Sequence, residues 1–451
     1  MRDSLHRTWR LHGDGRSVRP GEVVRPDERL ALPAMVGFGA QHILAMFGAT
    51  AIVPVLTGFP VSTTLLFSGV GTLLFCLITG NRVPSYTGSS FAFIAPVIAA
   101  KADGGVPAAL GGILCAGLAL LLVGLAIDRA GFGAVGFLLP PVVTGAIVCL
   151  IGLNLAPVAK DQFSQQAGIA LFTLAAILLA TVGLRGLGAQ LSVFLGVAAG
   201  YTFAAVLGKV DWTRVHDAAW VGAPDITTPV FDGRAIALVV PAVLLVLVAE
   251  NAGHVKAVGA MTETDLDPLI GRTLMADGAA TTLAGAFGGS GTTTYAENIG
   301  VMGLTRVYST LAYVIAGGLA IALALLPKFG AVIAAIPVGV LGGAVTVLFG
   351  MIAVLGARIW IEARVDFRDP VNLTTAAVAL IVGAGNYTLT WGDYEFAGIA
   401  LGTVSAIATY QVLRAVCRTA GAGGTPAPLG ATPEDAPPPY AATAAGTRRD
   451  A

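Results

Sequence analysis

Charge is scarce in this chain: Asp, Glu, Lys and Arg make up only 12% of its 451 residues, while 55% are apolar. A soluble globular domain carries about 25% charged residues, so the composition excludes that class and points to a polytopic membrane protein. The formal net charge is zero, without the basic surplus that a nucleic-acid partner requires. Cysteine is rare as well. Cys76, Cys115, Cys149 and Cys417 stand singly in apolar stretches, with no CxxC spacing and no neighbouring His cluster. No metal site is therefore expected, and the thiols read as small buried side chains. The glycine-rich phosphate-binding motif ending in Lys-Ser/Thr is missing, and no region between the apolar runs is large enough to hydrolyse ATP. A nucleophile elbow and a metal motif are missing too, which argues against an enzyme; transport without ATP has to draw on an ion gradient. The Arg-containing leader has no apolar core followed by a small-residue cleavage site, so the first apolar segment is expected to stay in the mature protein.

What the chain has in abundance is apolar stretches long enough to cross about 30 Å of hydrocarbon as helix. Fourteen are expected, at 32–53, 61–80, 84–99, 107–127, 132–155, 166–183, 189–208, 235–255, 271–288, 293–304, 307–326, 332–355, 371–390 and 394–415, two of them short. Lys and Arg collect on the cytoplasmic side of such proteins. With the N-terminus inside, seven fall in the leader (1–31), nine in inner loops and four from Arg414 to the end of the chain, three of them in the tail (416–451), leaving Lys101, Lys160, Lys209, Arg214, Arg234 and Lys328 on the outer side, with Lys209, Arg214 and Arg234 in an outer loop at 209–234. Both termini are expected in the cytoplasm. The tail is rich in Ala, Gly, Pro and Thr and is expected to be disordered; its Pro437-Pro438-Pro439-Tyr440 run reads as a chance product of that composition.

Pieces of the chain repeat about 200 residues apart. Ser89-Ser90-Phe91-Ala92-Phe93 aligns with Thr293-Thr294-Tyr295-Ala296-Glu297 at an offset of 204, which also pairs Ala45-Met46 with Ala249-Glu250. A further match, PPVVTGAIVCLIG from Pro140 against IPVGVLGGAVTVLFG from Ile336, makes the unit seven spans. Seven is odd, so the halves run inverted about an axis in the membrane plane. The two short spans, the third and tenth, open on Gly/Ser/Thr-rich runs (YTGSSFAF, GGSGTTTYAEN) that start helices poorly, so each is expected to be a strand followed by a half-helix. Such backbone is tolerated at mid-membrane depth only inside protein or along a wet cavity. Each half-helix N-terminus there presents free N–H groups to a polar small molecule.

Acidic residues inside apolar runs are costly and mark function. Glu250 and His254 lie four apart on a helix, so they share a face and converge on one ligand or on each other. Glu297 opens the second half-helix, as a ligand contact or as a cap of its free amides. Phe91 and Tyr295 take equivalent repeat positions beside a planar ligand or simply pack. Gln41 and His42 need hydrogen-bond partners in the first span, and Asn298, Thr305 and Arg306 read as holding the half-helix in place. Asp128, Asp161, Asp225, Glu263, Asp265, Asp267, Asp393, His6, His12 and His216 fall in expected loops or the leader and read as solvated surface.

Four motifs, QHILAMFGATAIVP from Gln41, YTGSSFAFIAPV from Tyr86, AENAGHVKAV from Ala249 and TTTYAENIGVMGLTRVYS from Thr292, together with VLGARIWIEARVD, resemble the nucleobase-ascorbate transporters (nucleobase:cation symporter-2 family), and closely the bacterial uracil permeases within it. The family signature, Asn-x-Gly-x-x-x-x-Thr after Glu, Gln or Pro, is similar to Glu297-Asn298 through Thr305. The resemblance implies an all-α fold of fourteen spans in two inverted repeats, a core domain at 32–127 and 235–326, and a gate domain at 128–208 and 327–415. It implies a proton-coupled symporter of the bacterial inner membrane that imports uracil by alternating access without a cofactor and dimerises through the gate domain. It places Glu250, His254 and Glu297 at the base, the amides of Phe91 and Ala296 on it, Tyr295 stacked nearby and Phe349 facing it from the gate. Apart from the resemblance, one of the two acids in apolar surroundings is expected to take up and release a proton, and Glu250, with His254, is read as carrying it. Glu rather than Gln before Asn298 resembles the pyrimidine branch. Uracil's two ring N–H groups and two carbonyls suit carboxylates that accept and amides that donate. A xanthine or urate symporter of the same family is the alternative, and an anion exchanger or channel of the same fold is the alternative of another class, disfavoured by two carboxylates at the site.

Overall fold

The computed structural model describes residues 9–19, 21–131, 133–391 and 394–419; His6, Asp393, the Pro437–Tyr440 run and most of the tail lie outside them. Two short strands, β1 (Arg10–Leu11) and β2 (Glu28–Arg29), pair in parallel ahead of α1 (Leu32–Thr57) and α2 (Val61–Ile78). Then come β3 (Thr87–Ser89), a 3-10 turn at Phe91–Phe93 and α3 (Ile94–Ala130). The helices α4 (Gly133–Leu138), α5 (Pro141–Asn154), α6 (Ala156–Gln165), α7 (Ala167–Gly183), α8 (Leu187–Gln190), α9 (Ser192–Val206) and α10 (Thr213–Asp217) lead to the second half. That half comprises α11 (Gly233–Thr262), α12 (Ile270–Phe287), β4 (Thr292–Thr294), α13 (Ala296–Thr305), α14 (Thr310–Ala324), α15 (Pro327–Ala334), α16 (Val338–Glu362), α17 (Pro370–Ala384), a hairpin of β5 (Thr388–Trp391) and β6 (Tyr394–Ala397), and α18 (Gly398–Thr419). Among the described residues seven helical stretches are long and apolar enough to cross a membrane, eight if α14 and α15, bent by 85°, count as one span.

Helix breaks follow from the residues present. The segments expected at 84–99 and 107–127 join in α3, which bends where Gly105 takes φ 74°, ψ −176° two residues before Pro107; a side chain at that φ is strained and the proline withholds a donor. Lys101, expected in an outer loop, therefore sits on a helix and donates to the Thr57 carbonyl at 2.9 Å. Asp128 and Asp161 are helical rather than in loops, Asp128 facing Arg272 at 3.5 Å, and His216 lies in the one-turn α10. The apolar run expected as helix to residue 390 instead turns into the β5–β6 hairpin, where Thr388, Leu389, Thr390 and Trp391 alternate as a strand does.

The helices pack in two groups. In one, α3 lies on α11 and α12, α14 on α1 and α2, and α2 on α12; in the other, α16 lies on α5, α6 and α7, α7 on α9, and α17 on α5 and α18. The α3–α12 contact runs on a seven-residue seam. Gly271, Gly278 and Gly285 meet the backbones of Asp128, Leu121 and Leu114, while Gly117 and Gly124 of α3 meet α12 in return. Between helices in lipid such small residues let backbones approach, and dispersion contacts hold the pair.

The leader is folded against the first group. The Val24 amide donates to the Arg306 carbonyl at 2.9 Å and the Val24 carbonyl accepts from Tyr308 at 2.8 Å. Trp9 Nε1 donates to Thr310 Oγ1 at 2.8 Å, and Val24 and Leu30 are buried with Met35, Val307 and Leu311. His12, expected on the solvated leader, is instead mostly covered, with Glu28 at 2.9 Å and Glu22 at 3.5 Å. Burial opposes ionisation of Glu28, but the Arg25 amide and His12 outweigh it and hold the carboxyl below its usual range.

Two substitutions test this packing by thermal melting of the purified protein. Gly278→Val should cost about 2 kcal/mol by forcing α3 and α12 apart. Val24→Asp, a charge at a fully buried position, should lower the melting temperature by roughly 3 °C or more; an unchanged melt would show that the leader is not packed there.

Candidate functional site

Two extended segments meet in the interior. Thr87, Gly88 and Ser89 of β3 pair antiparallel with Thr294, Thr293 and Thr292 of β4. The ends continue the ladder, with the Tyr295 amide donating to the Tyr86 carbonyl at 3.1 Å and the Ser90 amide to the Gly291 carbonyl at 2.9 Å. Each strand is also pinned by a threonine of the helix before it. Thr72 of α2 accepts from the Thr87 amide at 3.1 Å, and Thr281 of α12 accepts from the Thr292 amide at 3.1 Å.

This symmetry relates Thr87 to Thr292 and Ser89 to Thr294, positions 205 apart, one residue more than the sequence repeat suggests. Phe91 is thus equivalent to Ala296, the first residue of its half-helix, rather than to Tyr295. The amides of Phe91 and Ala296 open the two half-helices and have no carbonyl partner within them. Ser90, the residue before the first, accepts from the Ala92 amide at 3.2 Å.

Between the two helix groups lies a cavity of about 250 Å³ that these N-termini face. One stripe of α11, Glu250, Gly253, His254, Ala257 and Met261, forms one wall, and Ile352, Leu355, Arg358, Ile359 and Glu362 of α16 form the opposite one. Glu297 enters from the first turn of α13. Glu250 and His254 do not pair with each other; each takes a threonine of β4. His254 Nδ1 lies 2.8 Å from Thr294 Oγ1, and Thr293 Oγ1 donates to Glu250 Oε2 at 3.4 Å. The cavity continues to the face where α11 and α16 end.

Other expected residues sit around it. Asn298, fully buried, donates through Nδ2 to the His42 carbonyl at 3.0 Å and to His42 Nδ1 at 3.1 Å, which leaves the ring proton on Nε2. His42 in turn rests on Tyr313, ring centroids 4.3 Å apart. Gln41 Oε1 is buried without a partner. Thr305 Oγ1 returns to the Val301 carbonyl at 2.9 Å, and Arg306 closes α13 in a left-handed conformation, its carbonyl held by the leader.

Two aromatics make contacts that the sequence did not show. Tyr295 lines the cavity yet is only 3% exposed, and its hydroxyl donates to the Ser89 carbonyl at 2.8 Å while lying 2.8 Å from Thr50 Oγ1. It works as a staple between the two repeats, and Gly88 is required beside it, since a Cβ there would come within 2.7 Å of the phenol. Phe349 does not line the cavity; its ring meets Phe91 edge-on at 5.6 Å, one turn above Ile352, so Phe91 covers it.

Sequence reasoning passed over Asn251 and Asp277. Asn251 Nδ2 donates to Asp277 Oδ2 at 2.8 Å, Thr273 Oγ1 donates to Asn251 Oδ1 at 2.7 Å, and the Thr294 amide faces the same carboxyl. An acid between Ala276 and Gly278 in an apolar run was the available signal, the same one that marked Glu250. Among the described residues no group of three or more His, Cys, Asp or Glu is arranged to hold a metal ion.

A profile of the permease family (Xan_ur_permease) matches residues 34–391. The chain is 48% identical over 401 residues, covering 85% of it and 90% of the relative, to "Putative pyrimidine permease RutG" of Escherichia coli strain K12. It is 39% identical over 403 residues to the uracil permease of Paenibacillus larvae, covering 85% and 95%, and 40% identical over 411 residues to that of Bacillus caldolyticus, covering 87% and 94%. Among solved structures, the transmembrane domain of the cyanobacterial bicarbonate transporter BicA superposes with a TM-score of 0.58 at 15% identity, covering 84% of this chain and 97% of that one. The murine Slc26a9 anion transporter in its inward-facing state gives 0.63 at 12% identity, covering 86% and 69%. At these identities the two structures share the fold, a mostly helical multi-pass membrane architecture.

Tyr295→Phe keeps the ring and removes the staple. It should weaken ligand binding by roughly tenfold and cost about 1 kcal/mol of stability; calorimetry that finds wild-type affinity would reduce Tyr295 to a packing residue.

Proposed function

Because the chain belongs to the nucleobase-ascorbate transporter family, the permease family matched over residues 34–391, we propose that it is a proton-coupled symporter importing uracil across the bacterial inner membrane. The observation that carries this reading is the convergence of Glu250, His254 and Glu297 with two half-helix N-termini on one cavity. A neutral ring with both N–H donors and carbonyl acceptors satisfies all of these: carboxylates accept from its N–H groups, and the Phe91 and Ala296 amides donate to a carbonyl. Relatives named uracil permease support the choice of cargo.

In this proposal the fourteen spans form two inverted seven-span repeats with the strands in the third and tenth, and both termini are cytoplasmic. Support comes from the matched Thr72–Thr87 and Thr281–Thr292 contacts, which place α2 and α12 in equivalent roles. The α1–α3 and α11–α14 group (32–127 and 235–326) is the core that carries the site. The α5–α9 and α16–α18 group (128–208 and 327–415) is the gate, through which two copies pair. Alternating access is the sliding of one against the other, with the cavity open toward the ends of α11 and α16 and so inward-facing here. Glu250 takes the proton outside and yields it inside, with His254 beside it.

A second reading, anion exchange, draws on the fold shared with the bicarbonate and Slc26a9 carriers and on the preference of helix N-termini for anions. Glu250 and Glu297 in the same cavity disfavour it, since an anion would meet two acidic groups. A purine symporter of the same family differs only in cargo.

Proteoliposomes loaded to a pH gradient decide between these. Labelled uracil should accumulate unchanged with the wild type. Glu250→Gln should abolish gradient-driven uptake yet keep part of the exchange activity, and Glu297→Gln should lose uracil binding. Full gradient-driven uptake by the Glu250 variant would sink the coupling assignment, while binding of xanthine or urate without uracil would move the cargo to purines.

A further inference from the structure

A second pocket, of about 290 Å³, lies at the end of α18, away from the Glu250 cavity and sharing no residue with it. One wall is a single helical stripe, Tyr410, Gln411, Arg414 and Arg418; the other is Phe137 and Pro140 at the α4–α5 junction. Its polar groups are two guanidiniums, a phenol and an amide, with no carboxylate in the lining.

The pocket is held in shape. Gln411 Nε2 donates to the Phe137 carbonyl at 2.8 Å, tying α18 to the opposite wall. Arg414 Nε donates to the Tyr410 hydroxyl at 3.1 Å, and its guanidinium carbon lies 5.3 Å from the centre of that ring. This contact uses one of the five guanidinium N–H groups and orients the rest as a fork. Arg418, one turn on, adds a like charge at i,i+4, an arrangement that is unfavourable unless an anion lies between the two. Two other arginines near helix ends have acidic partners, Arg358 with Glu362 at 2.6 Å and Arg272 with Asp128 at 3.5 Å. Arg414 and Arg418 have no acidic partner among the described residues.

The surroundings place the pocket where hydrocarbon gives way to water. The stretch Gly398–Thr419 is one of the seven apolar membrane-length helices, and these arginines occupy its last two turns. Phe137 and Leu138 beside them are 58% and 41% exposed, an apolar surface of the kind that lipid chains cover.

We propose that this pocket binds a phosphate-bearing anion, and that its source is the headgroup of an anionic phospholipid. Guanidinium forks match phosphate oxygens in pairs, the phenol and amide contribute uncharged donors, and Phe137 and Leu138 receive the acyl chains. A free phosphate would use the same cations without the apolar flank.

The test uses the full-length protein in nanodiscs of phosphatidylcholine with or without phosphatidylglycerol, with retained lipid read by native mass spectrometry. Wild type should retain phosphatidylglycerol in preference to phosphatidylcholine, and Arg414→Gln/Arg418→Gln should lose roughly tenfold of that preference, while the exposed-loop control Arg185→Gln should not. Arg414→Lys/Arg418→Lys, which keeps both charges and removes the forks, should fall between and guards against a misfolded double variant. Inorganic phosphate and glycerol phosphate, added to phosphatidylcholine nanodiscs, provide the second arm. If they raise the melting temperature of the wild type but not of the Gln variant, and no lipid preference is seen, the phosphate chemistry stands and the lipid source is overturned. Equal retention of both lipids by wild type and variant, with no response to soluble phosphates, overturns the site altogether.

Discussion

The β3–β4 pairing is the constraint on which the rest of this molecule depends. Six residues run extended in the interior of a mostly helical bundle, and an unpaired amide or carbonyl in hydrocarbon costs several kcal/mol. The two segments therefore have to find each other, and they do so over Thr87–Ser89 and Thr292–Thr294. Once paired, they fix where the half-helices begin, and so where the free amides of Phe91 and Ala296 point. The cavity against α11 and α16 follows from that placement.

Polar side chains finish what the ladder begins. Thr72 and Thr281 pin the strands from the flanking helices, Tyr295 staples one repeat to the other, and Asn298 locks His42 to the second half-helix. Thr293 and Thr294 use the other side of β4 to orient Glu250 and His254. A single three-residue strand thus carries backbone pairing on its edge and the site's acid and imidazole on its side chains. Because one missing partner leaves the other buried and unsatisfied, these contacts tie site geometry to core stability. The glycine seam of α3 and α12 then holds the helix behind β4 close to its neighbour.

Much of the site was legible from local sequence. Glu250, His254 and Glu297 declared themselves as ionisable groups in apolar runs, and the fold brings all three to one cavity. The Gly/Ser/Thr runs marked where helices break. Asp277 carried the same mark and was passed over; its significance depends on Asn251, 26 residues away, and on a strand amide that no spacing reveals. Phe349 was read as a cavity aromatic but is screened from it by Phe91, while Tyr295, which does line the cavity, also staples the repeats through Thr50 and Ser89; which way a ring turns depends on neighbours from other segments. The leader's composition gave no sign that Val24 and Trp9 would seat against Arg306–Thr310, since that contact joins residues some 280 or more positions apart.

By itself the sequence determined the membrane class, the approximate helix positions and the chemical groups on offer, because hydropathy, helix periodicity and the cost of a buried charge act on neighbouring residues. The tertiary structure alone decided the 205-residue register of the strands, the partners of each carboxylate and aromatic, and the contact between the leader and the second half-helix. Those are pairings between segments far apart in the chain. Their energies come from satisfying buried polar groups and filling space in three dimensions, and neither quantity is written in any local stretch.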